Sequence, residues 1–200
     1  RILLSTSTFE SGLDGQARIQ SQTEALTGNT TTYSYDGSNL LTSALIKNSS
    51  NVTLQSQTYE KNTDGTYRLK TQTDTQTGNL TIFTYNPSGI LASSETKNAQ
   101  GRTIQTQTFE SGLDGQARLK ESTDTLTGNK TAYSYNSNGI LTQASLSNAQ
   151  GQALQTETYS VGIDGQARLA ARKDELTGNV TNFANDSSSI LAQSQGVNST

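Results

Sequence analysis

The sequence predicts an all-β protein: a repetitive β-sheet rod or solenoid of stacked 50-residue blocks, with about four short antiparallel strands per block. Three observations lead there. Thr8, Thr58, Thr108 and Thr158 open blocks that begin TFESGLDGQARI, TYEKNTDGTYRL, TFESGLDGQARL and TYSVGIDGQARL, so the step is 50 residues each time, without insertion or deletion. Within a block, short runs rich in Thr, Tyr, Ile and Val alternate with clusters of Gly, Asn, Asp and Ser, the pattern of strands and turns. No segment carries a sustained i, i+3, i+4, i+7 apolar pattern, which argues against helix.

Taken in order, residues 1–7 (RILLSTS) match the end of a preceding block. Four repeats follow at 8–57, 58–107, 108–157 and 158–200, the last incomplete, as in a window on a longer array. The third block illustrates the strands: an ALQTETY-like segment, ARLKESTDTL, KTAYSY and ILTQASL, separated by SGLDGQ, TGN, NSNG and NAQG. Asp-Gly and Asn-Gly offer the positive φ that tight hairpin turns need. In KTAYSY the side chains of Thr131, Tyr133 and Tyr135 fall on one face of a strand, because strand side chains alternate. The Asn of each TGN is explained by the same tolerance of positive φ.

Composition bounds the function. Hydrophobic residues make up 30% of the 200, with 17 glycines besides, lean against the roughly 45–50%, glycine counted, of ordinary globular domains. Each block can turn only about eight to ten apolar side chains inward, at roughly 1.5–3 kcal/mol each. That is too little to order fifty residues alone. Stability therefore has to come from neighbouring blocks, as in one-dimensional repeat proteins, and a lone block should be unfolded. Cysteine and histidine are absent, which removes disulfides, thiolate chemistry and imidazole bases. No apolar run approaches the roughly 20 residues of a membrane-spanning helix, and no signal peptide stands at the start. Fourteen scattered Lys and Arg in an acidic chain of net charge -3 argue against nucleic acid as a partner.

The unit of a turn, Tyr-x-Tyr, a second turn and an aliphatic pair resembles the tyrosine-aspartate (YD, or Rhs-type) repeats, whose pattern is approximately GNxTxYxYDxxGxLxxxTD. The first block carries it as GNTTTYSYDGSNLL, with Tyr35-Asp36 as the dipeptide. The second has Tyr85-Asn86 and the third Tyr135-Asn136, while the fourth has lost the tyrosine at Asn185-Asp186. The acids Glu24, Asp74, Asp124 and Asp174 fall where the pattern has TD. The resemblance implies wide strips of antiparallel strands, which in Rhs proteins, insecticidal toxin-complex proteins and teneurins spiral into hollow shells. Two features depart from it: LTGN is one residue longer than the usual LGN, and the step never varies. One fixed operation repeated indefinitely generates an open helix rather than a closed cocoon.

Candidate sites follow from recurrence. Asp14 with Arg18, and the copies at Asp64/Arg68, Asp114/Arg118 and Asp164/Arg168, are read as a turn aspartate beside glycine and an arginine paired with a neighbouring strand. Tyr33, Tyr35, Tyr85, Tyr133 and Tyr135 form a candidate strip for stacking on sugars, with aromatic ladders between blocks as the structural alternative. Asn29, Asn79, Asn129 and Asn179 head Asn-x-Thr triplets and are candidate N-glycosylation sites; Asn48, Asn51, Asn185 and Asn198 add further matches. Calcium loops, phosphate loops, nucleophile elbows and metal-ligand clusters do not occur as motifs, so no catalytic residue, cofactor or metal is expected. The expected role is structural: an extracellular or cell-surface fibre for adhesion, matrix or filament. The alternatives are the shell segment of an Rhs or toxin-complex protein enclosing a toxin, and a carbohydrate-binding module. Expected partners are further copies of the same repeats, since uncapped strand edges template association, and surface carbohydrate.

Overall fold

The structure, a computed structural model, describes residues 4–185 and 191–197, which form strands and the short loops beside them. The first block holds β1 (Ser5–Ser11), β2 (Ala17–Glu24), β3 (Thr30–Tyr35) and β4 (Leu41–Lys47). The second continues with β5 (Thr53–Lys61), β6 (Tyr67–Asp74), β7 (Leu80–Tyr85) and β8 (Leu91–Lys97). Next come β9 (Thr103–Ser111), β10 (Ala117–Asp124), β11 (Lys130–Tyr135) and β12 (Leu141–Ser147). The last four are β13 (Ala153–Val161), β14 (Ala167–Asp174), β15 (Val180–Asn185) and β16 (Leu191–Val197).

Strand order in the single sheet is the order of the sequence, β1 to β16. The chain divides into two units, Arg1–Gly89 with Ser94–Thr103, and Ile90–Ser93 with Ile104–Thr200. In the first unit β1 to β7 pair antiparallel, each with the next. In the second, β9 to β16 do the same. Within each unit, therefore, blocks meet edge to edge. Ser43 faces Thr58 and Leu45 faces Ser56 across β4 and β5, and Ser145 faces Thr156 across β12 and β13. The contribution of a neighbouring block is thus a backbone ladder in the plane of the sheet.

The same irregularities recur at the same repeat positions. A bulge lies between Thr8 and Phe9, between Thr58 and Tyr59, between Leu119 and Glu121, and between Thr158 and Tyr159. A second lies between Ser34 and Tyr35 and again between Ser134 and Tyr135. Each inserts an unpaired residue and raises the local twist.

The turns place glycine at positive φ after Asp14 and its copies, as expected, and correct the reading of TGN. Most are three-residue loops. The N–H of Gly12 bonds the carbonyl of Gln16 and that of Gly15 bonds Gly12, with Gly15 at φ 75°. Asp36 to Leu40 and Asn48 to Val52 repeat the arrangement. This is a type I turn closed by one left-handed residue. Gly89 and Gly139 take that residue at φ 79° and 74°, where the first block uses Asn39 at φ 61°. The correction concerns TGN. Its left-handed residue is glycine, Gly28 at φ 68° and its copies, so Asn29 needs no special backbone. The loop is longer because Gly28 N–H bonds the carbonyl of Glu24 while Glu24 N–H bonds that of Asn29. Consequently β10 ends at Asp124, and Thr125 and Leu126 lie in the turn rather than the strand.

One layer of sheet leaves little interior. Among the described residues the buried apolar side chains are Leu41, Ala44 and Ala144, with Ser94 buried at the position equivalent to the two alanines. Ala44 sits between Tyr33 of β3 and Gln57 of β5 in the ladder, under the larger side chains of that face. On β3, Thr31, Tyr33 and Tyr35 are half-buried while Thr32 and Ser34 are exposed, the alternation the sequence predicts. The opposite face is a hydroxyl surface. Cross-strand pairs Thr8–Ser21 (2.7 Å), Thr23–Thr30 (2.9 Å) and Thr58–Thr71 (2.6 Å) hydrogen-bond along it.

Candidate functional site

In the first two blocks the recurring arginine and the tyrosine of the YD position, Tyr35 or Tyr85, form one cluster, and the ladder explains why. Between β2 and β3 pairing covers Ser21–Thr23 against Thr30–Thr32 and then stops. Beyond that point the Tyr35 hydroxyl donates to the carbonyl of Ile19 at 2.7 Å, replacing the missing backbone partner. Tyr85 does the same to Leu69 (2.5 Å) and Tyr135 to Leu119 (2.8 Å). The Arg18 guanidinium lies over the Tyr35 ring, 4.4 Å from its centroid, and Arg68 lies 4.3 Å from that of Tyr85. A cation over a ring face is worth about 0.5–1 kcal/mol at exposed sites. The dipeptide tyrosine is thus a strut between strands whose ladder has ended.

The carboxylate partner of the arginine changes along the chain. Arg18 Nε donates to Glu10 at 2.7 Å, its cross-strand neighbour, and Arg68 Nε to Glu60 at 2.9 Å. In the later blocks Arg118 bonds Asp114 at 2.9 Å and Arg168 bonds Asp164. The spacing of Asp14 and Arg18 therefore marks an ion pair only where its copies fall in the last two blocks. Sequence reasoning missed Glu10 and Glu60, which lie on the preceding strand.

A further acceptor was also missed. In the first block Asn39 Oδ1 receives the N–H of Leu13 (2.9 Å) and Nη1 of Arg18 (2.7 Å). In the second block the equivalent donors, Thr63 N–H (2.8 Å) and Arg68 Nη1 (3.2 Å), converge on Asn62 Oδ1. Asn39 belongs to the β3–β4 loop and Asn62 to the β5–β6 loop, so the two blocks fill one spot from opposite sides. Glycine stands wherever the asparagine does not, at Gly12 and Gly89, and gives it room. A Cβ on Gly12 would come within 3.0 Å of Asn39 Oδ1, and one on Gly89 within 2.7 Å of the Asn62 amide. The signal was present in the sequence as Gly12/Asn39 against Asn62/Gly89, but it shows only in pairs.

The acids at the TD positions are turn caps. Asp74 Oδ1 accepts the N–H groups of Gln76 (2.8 Å) and Thr77 (3.1 Å), and Asp124 and Asp174 repeat this. Of the sugar-stacking candidates, Tyr35 and Tyr85 have one ring face under a guanidinium, whereas Tyr33 and Tyr133 are half-buried beside Ala44 and Ala144. Asn29, Asn79 and Asn129 are half-buried and Asn179 is exposed; Asn198 lies outside the described residues, as do Asp186 and the first residues of RILLSTS. An open groove of 840 Å³ lies on the hydroxyl face, lined by Thr30, Thr32, Ser43, Lys47 and Ser56 among others. Among the described residues no three Asp or Glu side chains gather as a cation site, and no helix is long and apolar enough to cross a membrane.

Titration follows from these bonds. The backbone N–H groups of Thr77 and Gln76 hold the Asp74 carboxyl below its usual range, and the equivalent N–H groups do so for Asp124 and Asp174. The Thr103 hydroxyl does so for Glu95. Burial raises Tyr35, Tyr59, Tyr85 and Tyr135, and burial with the Glu157 hydrogen bond pushes Tyr159 up to about 12. Carboxyls lowered in the fold contribute stability above their unfolded values that is lost as pH falls through the folded ones. Tyr159 contributes stability below about 10 that is lost as pH rises towards about 12, and the other raised tyrosines act in the same direction. Thermal melts are therefore expected to be flat from about pH 5 to 9 and to fall on both sides. A maximum below pH 4 would contradict the capping role of the aspartates.

With the geometry in view, comparison places the fold. No family model and no curated protein matches the chain. Among solved structures, a chain of the TcdB2–TccC3–Cdc42 complex superimposes with a TM-score of 0.53 at 17% identity, over 94% of this chain and 10% of that one. The Photorhabdus luminescens Tc holotoxin pore gives 0.38 at 15%, over 95% and 12%. A porin-like protein from Bacteroides uniformis gives 0.39 at 14%, over 84% and 81%. Only the first likeness is close enough to bear on the fold, and what it shows is the all-β repeat sheet. The chain spans about a tenth of that protein.

Proposed function

We propose that this chain is a passive wall segment of a larger Rhs-type protein, a strip of sheet that helps enclose a cargo and performs no chemistry on it. The observation that carries the reading is the single antiparallel sheet in strict sequence order, with the likeness to the TcdB2–TccC3–Cdc42 chain over 94% of its length. The YD resemblance supports it. So does the employment of the recurring polar residues, since Asp74, Arg18 and Tyr35 are engaged with the chain itself. A secreted or cell-surface location goes with this reading.

A second reading, an extracellular fibre assembling with copies of itself, is favoured by the bulges and loops recurring at one fixed step. Electron cryo-microscopy of the full-length protein separates the two. Hollow particles that shield an internal segment from added protease are expected. Open filaments with every segment cleavable would overturn the shell in favour of the fibre.

A further inference from the structure

We infer that the third block holds a recognition site for an uncharged carboxamide oxygen, set between the β9–β10 and β11–β12 loops and closed by its own arginine until the ligand displaces it. The first two blocks define what the site takes. Each offers a loop N–H and an arginine Nη1, and each fills the spot with one asparagine oxygen, Asn39 or Asn62. The third block keeps both donors, the N–H of Leu113 and the guanidinium of Arg118, but has glycine at both places that could supply the amide, Gly112 and Gly139. No acceptor for the Leu113 N–H occurs among the described residues, and Leu113 is 91% exposed.

Arg118 has moved into the space left by the missing asparagine. A Cβ on Gly112 would lie 1.3 Å from its Nη1, and one on Gly139 1.9 Å from its Nη2. Its Nη2 bonds Asp114 at 2.9 Å, whereas Arg18 and Arg68 point their Nη1 at the amide. The pose is a collapse onto the nearest acceptor, and it is reversible because a guanidinium is the far end of a flexible side chain. Charge selects among ligands. Asp114 already bonds the Arg118 guanidinium and Glu110 pairs across the ladder with Arg118, so an incoming carboxylate would compete with carboxylates at that cation and a neutral amide would not add a like charge. Both a partner protein's Asn or Gln side chain and the acetamido group of an amino sugar carry that oxygen.

The test uses the whole chain with 15N labelling. Titration with acetamide is expected to give saturable shifts of the Leu113 amide and the Arg118 Nε–H, with weaker shifts from acetate at equal concentration. Acetyl-asparagine methylamide and N-acetylglucosamine form two further arms, and the tighter one names the source. In Gly139→Asn, the block should fill its own site as the first block does with Asn39, which tolerates the same left-handed backbone. That variant is expected to lose the acetamide response and to melt about 2–4 °C higher. Non-saturating shifts in the native chain, or a response unchanged in Gly139→Asn, would overturn the site. A lower melting point for Gly139→Asn with the Arg118–Asp114 pair intact would do the same.

Discussion

Gly128→Ala is expected to destabilise the chain by about 3 kcal/mol, and Gly115→Ala by only about 1. The two glycines share φ 74°, so the backbone strain of a Cβ is common to both. Their surroundings differ. Around Gly115 a Cβ meets nothing within 4 Å, whereas at Gly128 it would lie 2.5 Å from the Cβ of Ala149 and 3.4 Å from its Cα. The long TGN loop is pressed against the β12–β13 loop there, and the neighbour is backbone and Cβ that cannot rotate away. Gly78 makes the same approach to Ala99, 2.7 Å from Cβ to Cβ, and should behave like Gly128. Denaturant unfolding of the three variants checks the order. Equal losses would mean that strain alone decides and that the two loops are not in contact.

Exchanging the two amide positions of the first block should be tolerated far better than either change alone. Asn39→Gly removes the acceptor of Leu13 N–H and Arg18 Nη1, an expected loss of about 1–2 kcal/mol. Gly12→Asn brings a side chain against Asn39 Oδ1, where a Cβ already stands at 3.0 Å, and should cost about as much. The double variant recreates the Asn62/Gly89 arrangement of the second block and is expected within about 0.5 kcal/mol of the native chain, a coupling of at least ~1.5 kcal/mol. Stability measured around the double-mutant cycle decides it. Additive losses would show that the arginine draws nothing from the amide.

The sequence made the period, the strand count and the two-faced strand pattern legible, because these rest on local rules that act residue by residue. Tyr33 against Thr32 is alternation, and Gly15 after Asp14 is turn chemistry. What stayed hidden was pairwise and crossed strands. Nothing in the spacing of Asp14 and Arg18 says that Glu10 takes the arginine in one block while Asp114 takes it in another, since both carboxylates lie within reach of one flexible side chain. The work of Tyr35 was invisible for a related reason. It answers a ladder that stops after three residue pairs, and where a ladder stops depends on bulges that no single strand encodes. The TGN asparagine was misread because Gly and Asn both accept positive φ, and the chain uses each of them for it elsewhere, at Gly89 and Asn39.

Blocks join edge to edge within each unit, so that the β4–β5 and β12–β13 borders should be as firmly laddered as the block interiors. Residue-resolved amide hydrogen exchange tests this most directly, since protection reports the free energy of opening each hydrogen bond. Amides of β12 and β13 facing each other, such as those of Ser145 and Thr156, are expected to be protected to the same degree as those between β11 and β12. Fast exchange at β4–β5 and β12–β13, beside slow exchange within the blocks, would mean separate four-stranded modules and would contradict it.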